Sequence, residues 1–312
     1  MSLGDSAEQI QLIIIQGPTA AGKSELAVRL AEKFAGEIIN ADSMQIYRGM
    51  DIGTAKPAGS LLQCVSHHLL GVVEPDQPFS AADFRAKAEA AIRDIHSRGE
   101  KVIVVGGTGL YIKALTKGLI DSPEGDETIR AELAAISRDA GRDELHRQLS
   151  LVDPVTAAKL HPNDQVRIIR ALEVFRMTGC PISVHREKHA FQNTGFSCLK
   201  LGITIDREVL YRRIDNRVDW MIQHGFIEEV QSLLAKGYAA HLKSMRSLGY
   251  RQICSYLAGE YSLDEAIRLI KRDTRHYAKR QLTWFKKDLE IKWFEYPGNV
   301  DIIFANAIEF YA

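Results

Sequence analysis

The sequence predicts an α/β fold: a parallel sheet with helices on both faces, carrying an all-helical insertion domain. Three observations predict it. Short continuous apolar runs alternate with helical patterns through the first third of the chain, and such runs belong to strands buried on both faces. Strand-like runs then cease between residues 122 and 197, where charged helical stretches take over. They return with CLKLGITID, so the helical block interrupts a sheet rather than following one.

The elements follow in chain order. QLIIIQ is an apolar run ending at glycine, followed by the amphipathic stretch KSELAVRLAEKF. GEIINAD is the second run, AADFRAKAEAAIRDIHSRG a helix closed by glycine, and KVIVVGG the third run. These assign residues 10–121 to the first part of the core. Residues 122–197, the insertion, contain ETIRAELAAISRDAG, RDELHRQLS, PVTAAKL and DQVRIIRALEVFRMTG. Residues 198–312 return to the core and are mostly helical, with IKWFEYP as a short final strand. The adjacent His67 and His68 read as packing or capping groups within a loop, without a metal role.

Composition narrows the class. A chain of 312 residues, 46% of them hydrophobic, can bury a large core. Forty basic and forty acidic residues cancel, so a surface for a polyanion has to be a local patch. Cys64, Cys180, Cys198 and Cys254 form no CxxC pair, which argues against a zinc site or disulfide framework and for a reducing compartment. The run Leu12 to Ile15 is too short to cross a bilayer, and the leading MSLGDSAEQ lacks the regions of a secretory signal. A cytoplasmic protein with no membrane partner is expected.

Gly17-Pro18-Thr19-Ala20-Ala21-Gly22-Lys23-Ser24 matches the phosphate-loop pattern G-x-x-x-x-G-K-[ST], between a strand and a helix. Its backbone N–H groups hold phosphate oxygens, Lys23 adds positive charge, and Ser24 offers a hydroxyl to Mg²⁺. An ordinary nucleotide hydrolase would end a later strand in an acid for the magnesium shell. Here that strand ends in Gly106-Gly107-Thr108. In a parallel sheet the strand C-termini gather at one crevice, so Asp42 and Thr108 should sit near Lys23 and Ser24. A carboxylate there can bind magnesium water or act as a base, and the residues alone leave these two roles tied. Between Ala266 and Lys287, eight basic residues face one acid, Asp273. Arg268, Arg272, Arg275 and Lys279 share one helical face, suited to phosphate contact.

The strings DSMQIYRGMDIGTAKP from Asp42, SAADF from Ser80, GGTGLY ending at Tyr111, LGYRQ from Leu248 and AKRQLTW from Ala278 occur in that order. Together they closely resemble the bacterial tRNA dimethylallyltransferase (tRNA isopentenyltransferase) family, from Ile13 to about Trp293. The resemblance implies a P-loop NTPase-like core whose loop holds the diphosphate of dimethylallyl diphosphate, not ATP, with Mg²⁺ as cofactor. The acceptor it implies is N6 of adenosine 37 in a tRNA anticodon stem-loop, with pyrophosphate as second product. By position, Asp42 corresponds to the general base, with Lys23 and Thr108 also catalytic, and Arg217 faces the diphosphate. Ser43, Met44, Gln45, Thr108 and Arg130 fall on tRNA-contact positions. So do Val166, Arg167, Ile168, Ile169 and Arg170, and Ser247, Leu248, Gly249, Tyr250, Arg251 and Gln252. The basic helix adds Arg275, Lys279 and Arg280. A monomer is implied. The chain departs from the pattern at Gln165-Val166-Arg167, where Gln is expected directly before Arg, and no zinc finger of the eukaryotic type is present. The rivals are an adenylate isopentenyltransferase, a phosphate-loop kinase using ATP, and a non-catalytic RNA-binding NTPase switch. The helical insertion and the missing acid weigh against them.

Overall fold

The computed structural model describes residues 9–57, 59–189 and 195–312; the leading polar segment, apart from Gln9, lies outside them. Two compact units form, one from Met1–Thr116 with Thr194–Ala312 and one over Lys117–Asn193. The larger unit opens with β1 (Ile10–Gln16), α1 (Lys23–Phe34), β2 (Gly36–Asn40), α2 (Ser60–Cys64), β3 (His67–His68), α3 (Ala81–Ser97), β4 (Lys101–Gly106) and α4 (Gly109–Lys117). The smaller unit holds α5 (Glu127–Asp139), α6 (Arg142–Val152), α7 (Pro154–Ala157), α8 (Gln165–Thr178) and α9 (Ile182–His189). The larger then resumes with β5 (Phe196–Thr204), α10 (Arg207–Gln223), α11 (Phe226–Ala235), α12 (Tyr250–Leu257), α13 (Leu263–Phe285), β6 (Lys292–Glu295) and α14 (Val300–Tyr311).

The described strands pair in parallel in the order β3-β2-β4-β1-β5-β6. Successive strand residues face opposite sides, and both sides are apolar. Leu12, Ile14, Val102 and Val104 join the core on one face with Phe84, Phe226, Tyr250 and Phe285. Ile13, Ile15, Ile103 and Val105 join the other with Leu26, Leu30 and Ile303. Unbroken apolar runs were therefore the correct sign of a sheet covered on both faces.

Three details differ from expectation. β5 starts at Phe196, pairing with Ile10, because Phe196 and Ser197 extend the ladder along β1. His67 and His68 form an edge strand on β2, where His68 Nε2 lies 2.5 Å from Glu37 Oε2. α14, a helix beyond the final strand, closes one face through Ile303 and Ala307, while the Asn299 side chain accepts from Glu295 N rather than capping it.

The smaller unit packs around Leu133, Leu145, Leu149, Ile168 and Leu172. Ile168 is fully buried and Ile169 partly so against the same core, because helical periodicity turns their side chains inward. Val166 and Arg167 are exposed. Glu173 is completely buried. It accepts hydrogen bonds from Asp126 N (2.7 Å), Arg130 Nη2 (3.5 Å) and Arg170 Nη1 (2.5 Å), and forms an ion pair with Arg130 Nε at 2.8 Å. Glu173→Gln takes the carboxylate partner from Arg170 and leaves Arg130 only the exposed Glu127, and removing one partner of a buried pair is costly. Because both arginines reach solvent, a loss of about 2–3 kcal/mol is expected in this unit. Amide exchange in α5 and α8 measures it, and unaltered protection there would show that the arginines are held by other means.

Candidate active site

The C-terminal ends of β1, β2 and β4 bring three loops together, as expected of a doubly wound parallel sheet. The first is the phosphate loop. A Cβ on Gly17 would stand 2.5 Å from Ile203 O, so only glycine lets the loop lie against β5. Ser80, Asp126, Asp206 and Ser262 cap their helices with side chains, whereas no side chain caps α1 at Gly22. The first amides of α1 are thus left for an anion.

Lys23 folds back over this loop, donating to Pro18 O at 2.6 Å. Burial lowers its pKa to about 8; Asp42 pulls the other way and Arg217 adds to the depression. Arg217 reaches from α10 to Thr19 Oγ1 at 3.4 Å, and burial with the nearby Arg213 lowers its pKa too. Neither arginine makes an ion pair among the described residues. Gln281 of α13 joins two loops, accepting from Thr19 N (2.9 Å) and donating to Gly107 O (2.9 Å).

Asp42 begins a tight turn after β2. Its Oδ1 accepts from Met44 N (2.8 Å) and Gln45 N (3.3 Å), while Oδ2 has no hydrogen bond among the described residues. Thr108 supports the turn: its Oγ1 accepts from Ser43 N at 2.9 Å and lies 3.3 Å from Ser43 Oγ. The end of β4 is pressed against this segment, since a Cβ on Gly106 would sit 2.1 Å from Ala41 O. Backbone cannot yield as a side chain does. Gly106→Ala should therefore cost about 3 kcal/mol, the upper end for overpacking, and lower turnover at least tenfold by shifting Asp42. Thermal unfolding and kcat together check this; a variant matching the unaltered protein in both would show that β2 and β4 part without penalty.

Two cavities adjoin here. The smaller, about 280 Å³, is lined by Thr19, Ala20, Gly22, Lys23, Ser24, Asn40, Asp42, Gln45 and Arg217, among others. The larger, about 640 Å³, takes in Asp42, Ser43 and Met44 with Ile214, Val218, Met221 and Phe226, and the stretch Ser247 to Arg251. Thr19, Asp42, Thr54, Ala55, Arg217 and Tyr277 line both. A cationic chamber therefore opens beside a roomier one with an apolar side, and Asp42 stands between.

Most residues singled out in the sequence gather here, though some do other work. Thr108 lines neither cavity and braces the Asp42 turn. The Gln45 amide donates to Thr54 O (3.0 Å) and Ala55 O (3.1 Å), so it is spent inside the protein. Gln252 is buried and bonded to Gly249 N and Asp273. Arg275 pairs with Asp215 at 3.0 Å and Lys271 with Asp219 at 2.7 Å. α10 thus neutralises part of the basic face, an effect invisible when charges are counted along α13 alone. Lys279 and Arg280 remain exposed, with Arg280 over the Tyr277 ring at 5.8 Å. Arg213, which belongs to no motif, shares a helical face with Arg217 at the i, i+4 spacing and places Nη1 3.9 Å from where a Gly22 Cβ would lie. Gln281 lies within AKRQLTW, but only the fold brings it to the phosphate loop.

Relatives point the same way. The sequence matches the family described as IPP transferase over residues 45–288. It is 63% identical over 308 residues to tRNA dimethylallyltransferase 2 of Geotalea uraniireducens, covering 99% of each chain. It is 57% identical over 310 residues to the tRNA dimethylallyltransferase of Geobacter sulfurreducens, covering 99% of this chain and all of that one. Among solved structures, the tRNA isopentenylpyrophosphate transferase of Bacillus halodurans matches with a TM-score of 0.71 at 40% identity, covering 96% of both chains. A eukaryotic dimethylallyltransferase acting on tRNA matches with a TM-score of 0.78 at 31% identity, over 92% of this chain and 74% of that one. Matched across most of its length in sequence and in fold, the chain belongs to the IPP transferase family.

Proposed function

We propose that the chain transfers a dimethylallyl group from dimethylallyl diphosphate to N6 of adenosine 37 in the anticodon stem-loop of tRNA, releasing pyrophosphate. The observation that carries this is the position of Asp42, on the wall shared by a cationic chamber and a larger, partly apolar one. The diphosphate occupies the first, on the α1 amides, Lys23 and Arg217; the prenyl group and the adenine occupy the second. In the reaction a C–N bond forms from N6 to the allylic carbon and the C–O bond to the diphosphate breaks. The bonding pair leaves with pyrophosphate, and Asp42 takes the N6 proton. The cations meet the charge that develops on the leaving group. Proximity of the two chambers sets the amine against the allylic carbon.

The small cavity also suits magnesium. It presents the Ser24 hydroxyl, Asn40 and the Asp42 carboxylate, a sparse oxygen set appropriate to an ion held mainly by water and substrate phosphates. Among the described residues no group of three His, Cys, Asp or Glu forms a protein-only cage. Bound there, Mg²⁺ would add positive charge at the diphosphate.

tRNA as partner is supported by the relatives' names. Each unit contributes cations that reach solvent and suit RNA phosphates: Arg167 with the half-buried, ion-paired Arg130 and Arg170 in one, Lys279 and Arg280 in the other. No helix among the described residues is long and apolar enough to cross a membrane; the proposed setting is the cytoplasm, with the protein acting as a monomer. The test supplies unmodified tRNA with labelled dimethylallyl diphosphate and Mg²⁺, beside reactions with AMP as acceptor or ATP as donor. Label in tRNA at adenosine 37 is expected. Label in AMP alone, or phosphoryl transfer from ATP, overturns the assignment.

A further inference from the structure

We infer that Glu229 is a positioning residue for the acceptor chamber, acting through a clamp on the loop Asp51–Ala55. The inference rests on the proposed function for the identity of the acceptor. Glu229 lies on α11 and lines neither cavity. Its Oε2 accepts from Asp51 N (2.8 Å) and Ile52 N (2.7 Å), and its Oε1 from Gly53 N (3.1 Å) and the Tyr250 hydroxyl (2.6 Å). One carboxylate thus takes four donors, the full capacity of its two oxygens.

The segment it holds is a wall of the site. Gly53, Phe226 and Tyr250 line the larger cavity, and Thr54 and Ala55 line both. Gly53 lies so close to the aromatic pair that a Cβ would stand 2.1 Å from Phe226 Cε2 and 2.7 Å from Tyr250 Cε2. The two rings meet edge to face at 5.1 Å. Glu229 therefore fixes loop, ring and hydroxyl relative to one another in the wall of the larger chamber. The cationic chamber is held by other contacts, through Gln281 on Thr19 and Gly107 and through Arg217 on Thr19. The diphosphate end of the donor is held in that chamber, so the clamp should act more on the acceptor than on the donor.

Glu229→Gln separates these effects. A glutamine keeps one acceptor oxygen but turns an NH₂ toward two of the four donors. KM for tRNA should rise about tenfold or more with kcat changed less than about threefold, the pattern of lost binding rather than lost chemistry. The Kd for dimethylallyl diphosphate should change less than KM for tRNA, since the diphosphate contacts on the α1 amides, Lys23 and Arg217 remain. Amide exchange at Asp51, Ile52 and Gly53 should quicken, with the melting temperature little altered. Tyr250→Phe, which removes one donor of four, should show the same pattern more weakly. An unchanged KM for tRNA overturns the inference, as does a parallel loss in kcat, donor affinity and melting temperature. Should the unaltered protein leave tRNA unmodified, the proposed function falls; the exchange rates at residues 51–53 then decide the clamp by themselves, unchanged rates disproving it.

Discussion

Asp42→Asn is expected to lower kcat about 10³-fold while both substrates bind as before, the range set by removal of a general base. Asparagine suits the test better than alanine. The turn after β2 depends on Oδ1 accepting from Met44 N and Gln45 N, and an amide oxygen can accept both. What asparagine cannot do is take a proton from N6 through the atom that replaces Oδ2. The adenine amine then has to lose its proton without a base held against it. Single-turnover rates at saturating tRNA and prenyl diphosphate give the result directly. The other role open to this carboxylate, holding magnesium water, predicts something different: the variant would regain turnover as Mg²⁺ is raised. Recovery of that kind, or a kcat within threefold of normal, would remove Asp42 from the proton-transfer step.

The fold was largely legible because strand burial writes itself into sequence as runs such as LIIIQ and VIVVG, and the phosphate loop marks its own strand and helix. β3 was not legible. Two residues carry no periodicity, and His67 and His68 become a strand only because β2 offers an edge to pair with. The site divides in the same way. Lys23, Ser24 and Asp42 follow from local order, being placed by the strand ends that precede them. Arg213, Gln281 and Glu229 act across 190 residues or more on the phosphate loop or across 176 on Gly53, and no spacing rule connects such distances. The basic stretch shows the opposite error. Counted along the chain it is nearly all positive, yet Asp215 and Asp219 on α10 pair with Arg275 and Lys271. Those acids lie more than a helix away in sequence.

Lys23→Met should reduce kcat/KM for dimethylallyl diphosphate about 10²–10³-fold, as expected when a preorganised charge at the leaving group is lost, with tRNA affinity unchanged. Methionine keeps an apolar stem of similar length and removes only the ammonium. The depressed pKa supplies an independent check. In the empty site burial holds Lys23 near 8, and the protonated form is the one that binds a diphosphate. Between about pH 7 and that value the lysine is charged before and after binding and the ligand is fully ionised, so affinity should be flat. Above it the empty protein has lost the proton and must take one up on binding, while the ligand, whose last phosphate ionisation falls near pH 6, is already fully charged. Affinity should then fall by up to about tenfold per pH unit above 8, until the empty-site lysine meets the pKa it has beneath the anion. Proton uptake, read by calorimetry in buffers of differing ionisation enthalpy, should appear over the same interval and vanish in Lys23→Met. Were affinity to remain level from pH 7 to 10, Lys23 would not be the cation that meets the diphosphate. The charge would then have to come from Arg217 and Arg213.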